Sequence, residues 1–431
     1  MKPKTASEKG QVLIIMALAA IGIFAMVGLA IDGSRKFSDR RHAQNAADTA
    51  AIAASLAKIN AMADPTKSND PAICPPPDDA PSDVCAELLS AGFQRATDNG
   101  YDGNLVTNAV EIYSPPISGP YAGNGQYVQV IINSYINTTF TRVLGIFQLQ
   151  NKVEAVAKSR SEYKGELYGG ASIVGLAPDK CKTIWFSGSA LTDITGGGVF
   201  SNSNVDCGVT IQGSTNIYMD SSIDMVADAY VKNGNPPLGG IAGGFNSGAD
   251  PYEYPPPDEM LPKITCSGNA KKNGNSMSPG NWSGTFPPSG VKTLNPGIYC
   301  IKGDFKLNSK DNLTGSGVTI YMQSGGITWN GGANVNLSAP TSGDLAGMLI
   351  FAPMSNTSTM NFNGNATSLL TGTVLMPAAP IIYNGTGNLN PSYVQIIGYT
   401  VELTGSNTTN ILYQDGDNWD ATIPAQVGLM N

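Results

Sequence analysis

Val12 to Ile31 is a run of twenty uncharged, almost wholly apolar residues. As a helix it spans roughly 30 Å, the thickness of a bilayer's hydrocarbon, and only a helix satisfies its own backbone hydrogen bonds there. The run therefore predicts a chain tied to a membrane near its N-terminus. No second run of this kind follows, so the remaining residues are expected on one side of that membrane. A cleaved secretory signal is the rival reading. Its apolar core is usually ~7 to 15 residues, and Gly28-Leu-Ala-Ile-Asp32 is a poor small-residue cleavage site, which favours a retained single-pass anchor. Lys2, Lys4 and Lys9 precede the span while Arg35, Lys36, Arg40 and Arg41 follow it, so counting basic residues does not settle the orientation.

Cysteine usage supplies a direction. There are six cysteines, none in a CxxC or Cys/His pattern, and the single histidine, His42, sits beside the anchor. Disulfides in an oxidising compartment are the simplest account, with free buried thiols the alternative. Pairing of neighbours gives Cys74–Cys85, Cys181–Cys207 and Cys266–Cys300, one of about fifteen connectivities that six cysteines allow. A net charge of −8, without a basic tract beyond the juxtamembrane one, argues against nucleic acid as a partner. A cytoplasmic N-terminus with the body outside fits these features together.

Asp32 to Ala63 has no proline and a dense file of alanines: Ala43, Ala46, Ala47, Ala50, Ala51, Ala53, Ala54 and Ala57. Alanine is the best helix former, and small residues at three- and four-residue spacing let another element approach closely. Anchor and extension are expected to form one continuous helix ended by Asp64-Pro65. Loop chemistry follows, with Pro71, Pro75, Pro76 and Pro77, up to Pro81. A second helix is predicted from Asp83, as N-cap, to Asp98, with Val84, Leu88, Leu89 and Phe93 on its apolar side. Strands are predicted at Ala109–Tyr113, Tyr127–Thr141 and Val153–Lys158. The domain boundaries read as 1–63 for anchor and Ala-rich helix, 64–160 for a small α+β module, and 161–431 for an all-β domain.

From about Glu166 helical periodicity disappears, and Gly, Asn, Ser and Thr separate short apolar runs such as Gly208-Val-Thr-Ile211 and Gly317-Val-Thr-Ile-Tyr-Met322. Frequent turns with weak self-similarity predict a right-handed parallel β-helix, each coil burying its apolar side against the next. A β-sandwich is the structural rival. Asn233 to Pro262 and Cys266 to Pro288, rich in Pro, Gly and Asn, are expected to be large loops leaving the coils.

The N-terminal pattern, Glu8-Lys9-Gly10-Gln11, the span, Ile31-Asp32-Gly33 and Arg40-Arg41-His42-Ala43-Gln44-Asn45-Ala46-Ala47-Asp48-Thr49-Ala50-Ala51, resembles the TadE/TadG-like proteins of bacterial Flp (tight-adherence) pilus systems. The segments Phe140-Thr-Arg-Val-Leu-Gly145 and Val153-Glu-Ala-Val-Ala157 are also similar to TadG-like sequences. The resemblance implies an α+β pilin-like module on a long transmembrane helix, an inner-membrane anchor, and other pilus-assembly subunits as partners of that helix. Cutting after Gly10 would put Ile15 where a prepilin peptidase substrate usually carries Glu, which favours the uncleaved, TadG-like type.

Chemistry is sparse. Beyond Arg160 the chain has no arginine and no histidine, leaving Lys as the basic candidate for proton abstraction. Asp206, Asp220, Asp224 and Asp228 lie in one stretch, as turn aspartates or as hydrolytic carboxylates. Asp415-Gly-Asp417-Asn-Trp-Asp420 is a faint calcium-loop pattern without the distal Glu. No catalytic, metal or cofactor residues are assigned, and an enzyme is not expected. Two functions remain: a structural component of pilus assembly, or a surface adhesin whose Tyr218, Tyr321, Tyr383 and Tyr399 contact glycans.

Overall fold

The computed structural model describes residues 8–64, 66–67, 73–75, 82–189, 191–233, 240–364, 368–385, 392–405 and 409–430. Lys2, Lys4, Pro65, Pro71, Pro76, Pro77 and Pro81 lie outside these residues. The chain forms two compact units: Met1–Tyr163 with Pro424–Asn431, and Lys164–Ile423.

In the first unit, helix α1 runs unbroken over Glu8–Ala63. Helix α2 covers Asp83–Asp98. Its N-cap is Ser82, whose hydroxyl accepts the Cys85 N–H, so Asp83 is the first helical residue and not the cap. Strands β1 (Asn108–Tyr113), β2 (Tyr127–Asn137), β3 (Gln148–Arg160) and β4 (Gln426–Leu429) form one antiparallel sheet in that order. β2 stops at Asn137, short of the expected Thr141, because Thr141–Leu144 turns as a 3-10 helix. β4 pairs Leu429 with Ala157, so the last strand belongs to this unit and not to the 161–431 stretch.

Ala43, Ala46, Ala47, Ala50, Ala51 and Ala54 are fully buried. They form one stripe at helical spacing and pack with the inner face of the sheet, Val128, Val130, Ile132, Val153, Ala155 and Ala157, and with Leu88 and Ala96 of α2. The crossing of the helices is close. A Cβ at Gly92 of α2 would sit 2.5 Å from Ile112 Cδ1 and 3.2 Å from Ala54 Cβ, which is why glycine stands there. Cys74–Cys85 ties the segment before α2 to the helix.

The second unit is a β-solenoid of about ten turns, with parallel pairing between successive coils, which rules out the sandwich. One ladder runs Tyr299–Ile320–Ile350–Val374–Ile396–Ile173–Val199–Ile223–Phe245. Another runs Leu307–Trp329–Phe362–Tyr383–Leu403–Phe186–Ile211. All but Phe245 are buried in the bore, each such side chain contributing ~1.5–3 kcal/mol relative to exposure. Corners that stack backbone on backbone need glycine: a Cβ at Gly188 would meet Gly405 O at 2.3 Å, and one at Gly213 would meet Gly188 O at 2.4 Å.

The order of the coils differs from the order of the chain. The first strand, Ile173–Gly175, enters mid-axis and pairs with Ile396–Gly398. Thr409–Leu412 completes that same coil, pairing on one side with Ser392–Tyr393 and on the other with Thr192–Thr195. From 173 the chain winds to one end at Phe245–Asn246, then crosses over and starts again at the other end. The crossover carries Pro251, Pro255, Pro256, Pro257 and Pro262, residues that donate no hydrogen bond and suit an extended path across a sheet face. Tyr252 is held by mutual bonds with Asn202, and Tyr254 packs on Tyr399. Cys266–Cys300 fastens its end, and Cys181–Cys207 staples two adjacent coils. All three disulfides pair neighbouring cysteines. Cys266 to Pro288 is not a loop: Lys272–Asn273 folds back on Ser276–Met277, and Gly280–Ser283 forms the end coil.

Candidate functional site: the anchor and its collar

From Val12 to Leu29 every side chain except Gly28 stands exposed on α1, Leu13 at 73% and Phe24 at 69%. Among the described residues, α1 is the one helix long and apolar enough to cross a membrane. The next turns are gripped by the sheet. Asp32, 2% exposed, accepts the backbone N–H groups of Thr139 (3.0 Å), Phe140 (3.0 Å) and Thr141 (2.8 Å) and the Thr141 hydroxyl (2.9 Å). These donors, the Thr141 N–H first and the Thr139 N–H next, hold its carboxyl down at about 2 by stabilising the anion. Arg35 donates to Thr139 Oγ1 at 2.6 Å. Asp39 accepts from Asn151 Nδ2 (2.7 Å), the Tyr101 hydroxyl (3.2 Å) and Ser134 Oγ. Asn151 also donates to Lys36 O.

Asp32, Arg35, Lys36 and Asp39 recur at three- and four-residue spacing, so one helix face carries the whole row. The row continues with Gln44, whose amide donates to Asp48 Oδ1 (2.8 Å) and Glu154 O (3.0 Å), and then with the alanine stripe. Further along, Lys58 is 1% exposed and donates to Ser114 Oγ at 2.8 Å and to Gly125 O. Burial pushes its amine down to about 8. The motif residues Asp32, Gln44, Ala46, Ala47, Asp48, Ala50 and Ala51 are thereby shown at work, fastening an anchor helix to a sheet. A side chain at Gly33 would meet open space, so packing does not explain that glycine. The receiving groups, Thr139, Thr141, Ser134, Asn151 and Tyr101, lie up to a hundred or so residues away in sequence and carry no local signal; Phe140-Thr-Arg-Val-Leu-Gly145 was the only trace of them.

In the 206–228 stretch, Asp220 and Asp224 have separate partners. Asp220 caps the Gly196 N–H with both oxygens (3.1 and 3.0 Å). Asp224 accepts from Ser222 Oγ and Asn246 Nδ2, and Asp206 and Asp228 are exposed. In the 415–420 segment, burial and then the neighbouring Asp415 raise the carboxyls of both Glu166 and Asp420. Among the described residues no group of His, Cys, Asp and Glu is arranged to hold a metal ion. The tyrosines do not share a face: Tyr383 is buried, Tyr321 stacks on Phe351, Tyr399 lies against Tyr254, and only Tyr218 is exposed.

No curated protein and no solved structure matches the chain. Residues 10–63 match the model of the putative Flp pilus-assembly TadE/G-like family. That segment begins within the anchor's first turn and ends with α1. Over its anchor and alanine stripe, the chain is similar to that family.

Proposed function

We propose that this protein is a membrane-anchored structural component of bacterial Flp pilus assembly, with its N-terminus in the cytoplasm and its solenoid in the periplasm or beyond. The observation that carries this reading is the division of labour along α1: the family-matched Asp32, Asp39, Gln44 and the buried alanines up to Ala54 hold the sheet and α2 of the first unit, and the apolar span below them is left bare. A bare span serves the inner membrane and the helices of other pilus-assembly subunits. Three disulfides suit an oxidising compartment. In the 206–228 stretch Asp220 caps a turn while Asp206 and Asp228 are exposed, so the solenoid's role is read as architectural and not catalytic.

Deletion of the gene, with pilus number and surface attachment scored separately, tests the reading. Loss of pili, together with inner-membrane fractionation of the protein, is expected. Normal piliation with impaired attachment, and recovery of the protein in sheared pili, would replace assembly with adhesion.

A further inference from the structure

We propose that the loop 138–147 between β2 and β3 is a second membrane contact, seated in the interfacial layer of the bilayer that α1 spans and bound by lipid. The inference rests on the anchor reading and adds to it. Phe140 packs against α1 beside Gly28, where a Cβ would lie 2.4 Å from Phe140 Cβ. Gly28 is four residues inside the apolar span from Asp32, ~6 Å deeper along the axis. A side chain packed at that level sits where the hydrocarbon begins.

The rest of the loop follows it. Val143 is 89% exposed, Phe147 61%, Ile146 45% and Phe140 39%. The turn before β1 flanks it, since Tyr135 N donates to Thr107 O, and presents Leu105 (76%) and Val106 (74%). Phe37 of α1 is 72% exposed. Phe37, Leu105, Val106, Val143 and Phe147 are the most exposed large apolar side chains described outside the span, with Ile117, almost as exposed, standing at the other end of the sheet. The five gather at the end of the first unit from which the span emerges. Exposed Arg35, Lys36, Arg40, Arg41 and Arg142 stand among them, with Arg142 over the Phe147 ring. The nearby carboxylates Asp32, Asp39 and Asp102 are engaged by protein donors. Apolar tips ringed by cations match an anionic lipid surface.

The six native cysteines are all disulfide-bonded, so a single introduced cysteine labels cleanly. The full chain carrying Val143→Cys or Phe147→Cys, coupled to a polarity-sensitive fluorophore, is reconstituted into phosphatidylethanolamine–phosphatidylglycerol liposomes bearing nitroxide-labelled acyl chains. Ala20→Cys in the span serves as the lipid reference. Ile117→Cys, at the opposite end of the sheet, serves as the water reference. Blue-shifted emission, strong nitroxide quenching and several-fold protection from aqueous iodide relative to the Ile117 label are expected at 143 and 147. A lipid-buried Ala20 label with water-like labels at 143 and 147 would overturn the loop contact while leaving the anchor standing. Protection from iodide without nitroxide quenching would overturn it too, assigning the patch to protein. A water-exposed Ala20 label would instead remove the anchor reading itself.

Discussion

The two units bury their apolar surface in opposite ways. In the first, a stripe of alanines lets helix, sheet and second helix approach to backbone distance, and the grip is completed by side-chain hydrogen bonds from one helix face. In the second, large side chains fill a bore, Trp329 meeting Phe305 and Phe362 edge to face at 5.4 and 4.9 Å, while neighbouring coils satisfy one another's backbones through parallel ladders. The first core is short of room and the second is full of mass. Exposure differs as well. Among the described residues the solenoid shows one exposed large apolar side chain, Tyr218, whereas the first unit shows a cluster of them where its span emerges. The solenoid surface is finished, and the first unit's is not.

If that contrast holds, the solenoid fails on losing volume. Trp329→Ala removes the widest rung of the aromatic ladder, and large-to-small changes of this size cost ~3–5 kcal/mol. All four tryptophans, Trp185, Trp282, Trp329 and Trp419, lie in the solenoid, so denaturant unfolding followed by the remaining tryptophan fluorescence reads that unit alone. A midpoint unchanged from the parent would break the picture of a densely packed bore.

The first unit fails on gaining volume. Gly92→Val puts methyl groups where Ile112 and Ala54 already stand, and overpacking of this kind costs ~1–3 kcal/mol. Hydrogen exchange of the β2 amides is expected to accelerate while the tryptophan-detected transition stays in place. Equal loss in both units would show that they do not fold as separate bodies.

The same contrast decides what could be read from sequence. The span and the alanine stripe are local patterns, and both were legible; the cysteines pointed to disulfides, with neighbour pairing one of about fifteen connectivities. The solenoid's class was legible too, from short apolar runs between turns. Its winding was not. Ile396 pairs with Ile173, and the repeated Gly-Val-Thr-Ile tetrads at 208–211 and 317–320 fall on different faces, the first against Ile184–Phe186 and the second against Gly297–Tyr299. Pairing between distant segments is set by which coil lies adjacent, a property that no window along the chain contains. Cys266 to Pro288 misled for a related reason: an end coil needs turns and prolines as much as a loop does. In the first unit Asp32 was visible as a motif residue, but its partners at Thr139–Thr141 were not, because backbone N–H groups have no signature.

Asp32 gives the finest test of the grip. Asp32→Asn keeps the shape and removes the charge, leaving an amide whose single oxygen faces donors that an anion had satisfied. The amide resonances of Thr139, Phe140 and Thr141 are expected to shift and broaden, with the rest of the sheet little changed. The sign of the pH response follows from the depressed carboxyl. Its stabilising effect is complete above the ordinary value of 3.8 and is lost as pH falls through about 2, since only the unfolded form takes up a proton between those values. The parent therefore holds these resonances steady from neutral pH to well below 4, releasing them as pH falls toward about 2, while the Asn variant shows no such step. A parent that loosened well above pH 4 would mean that another group holds the loop, and the collar at Asp32 would no longer distinguish the first unit from a helix merely packed on alanines.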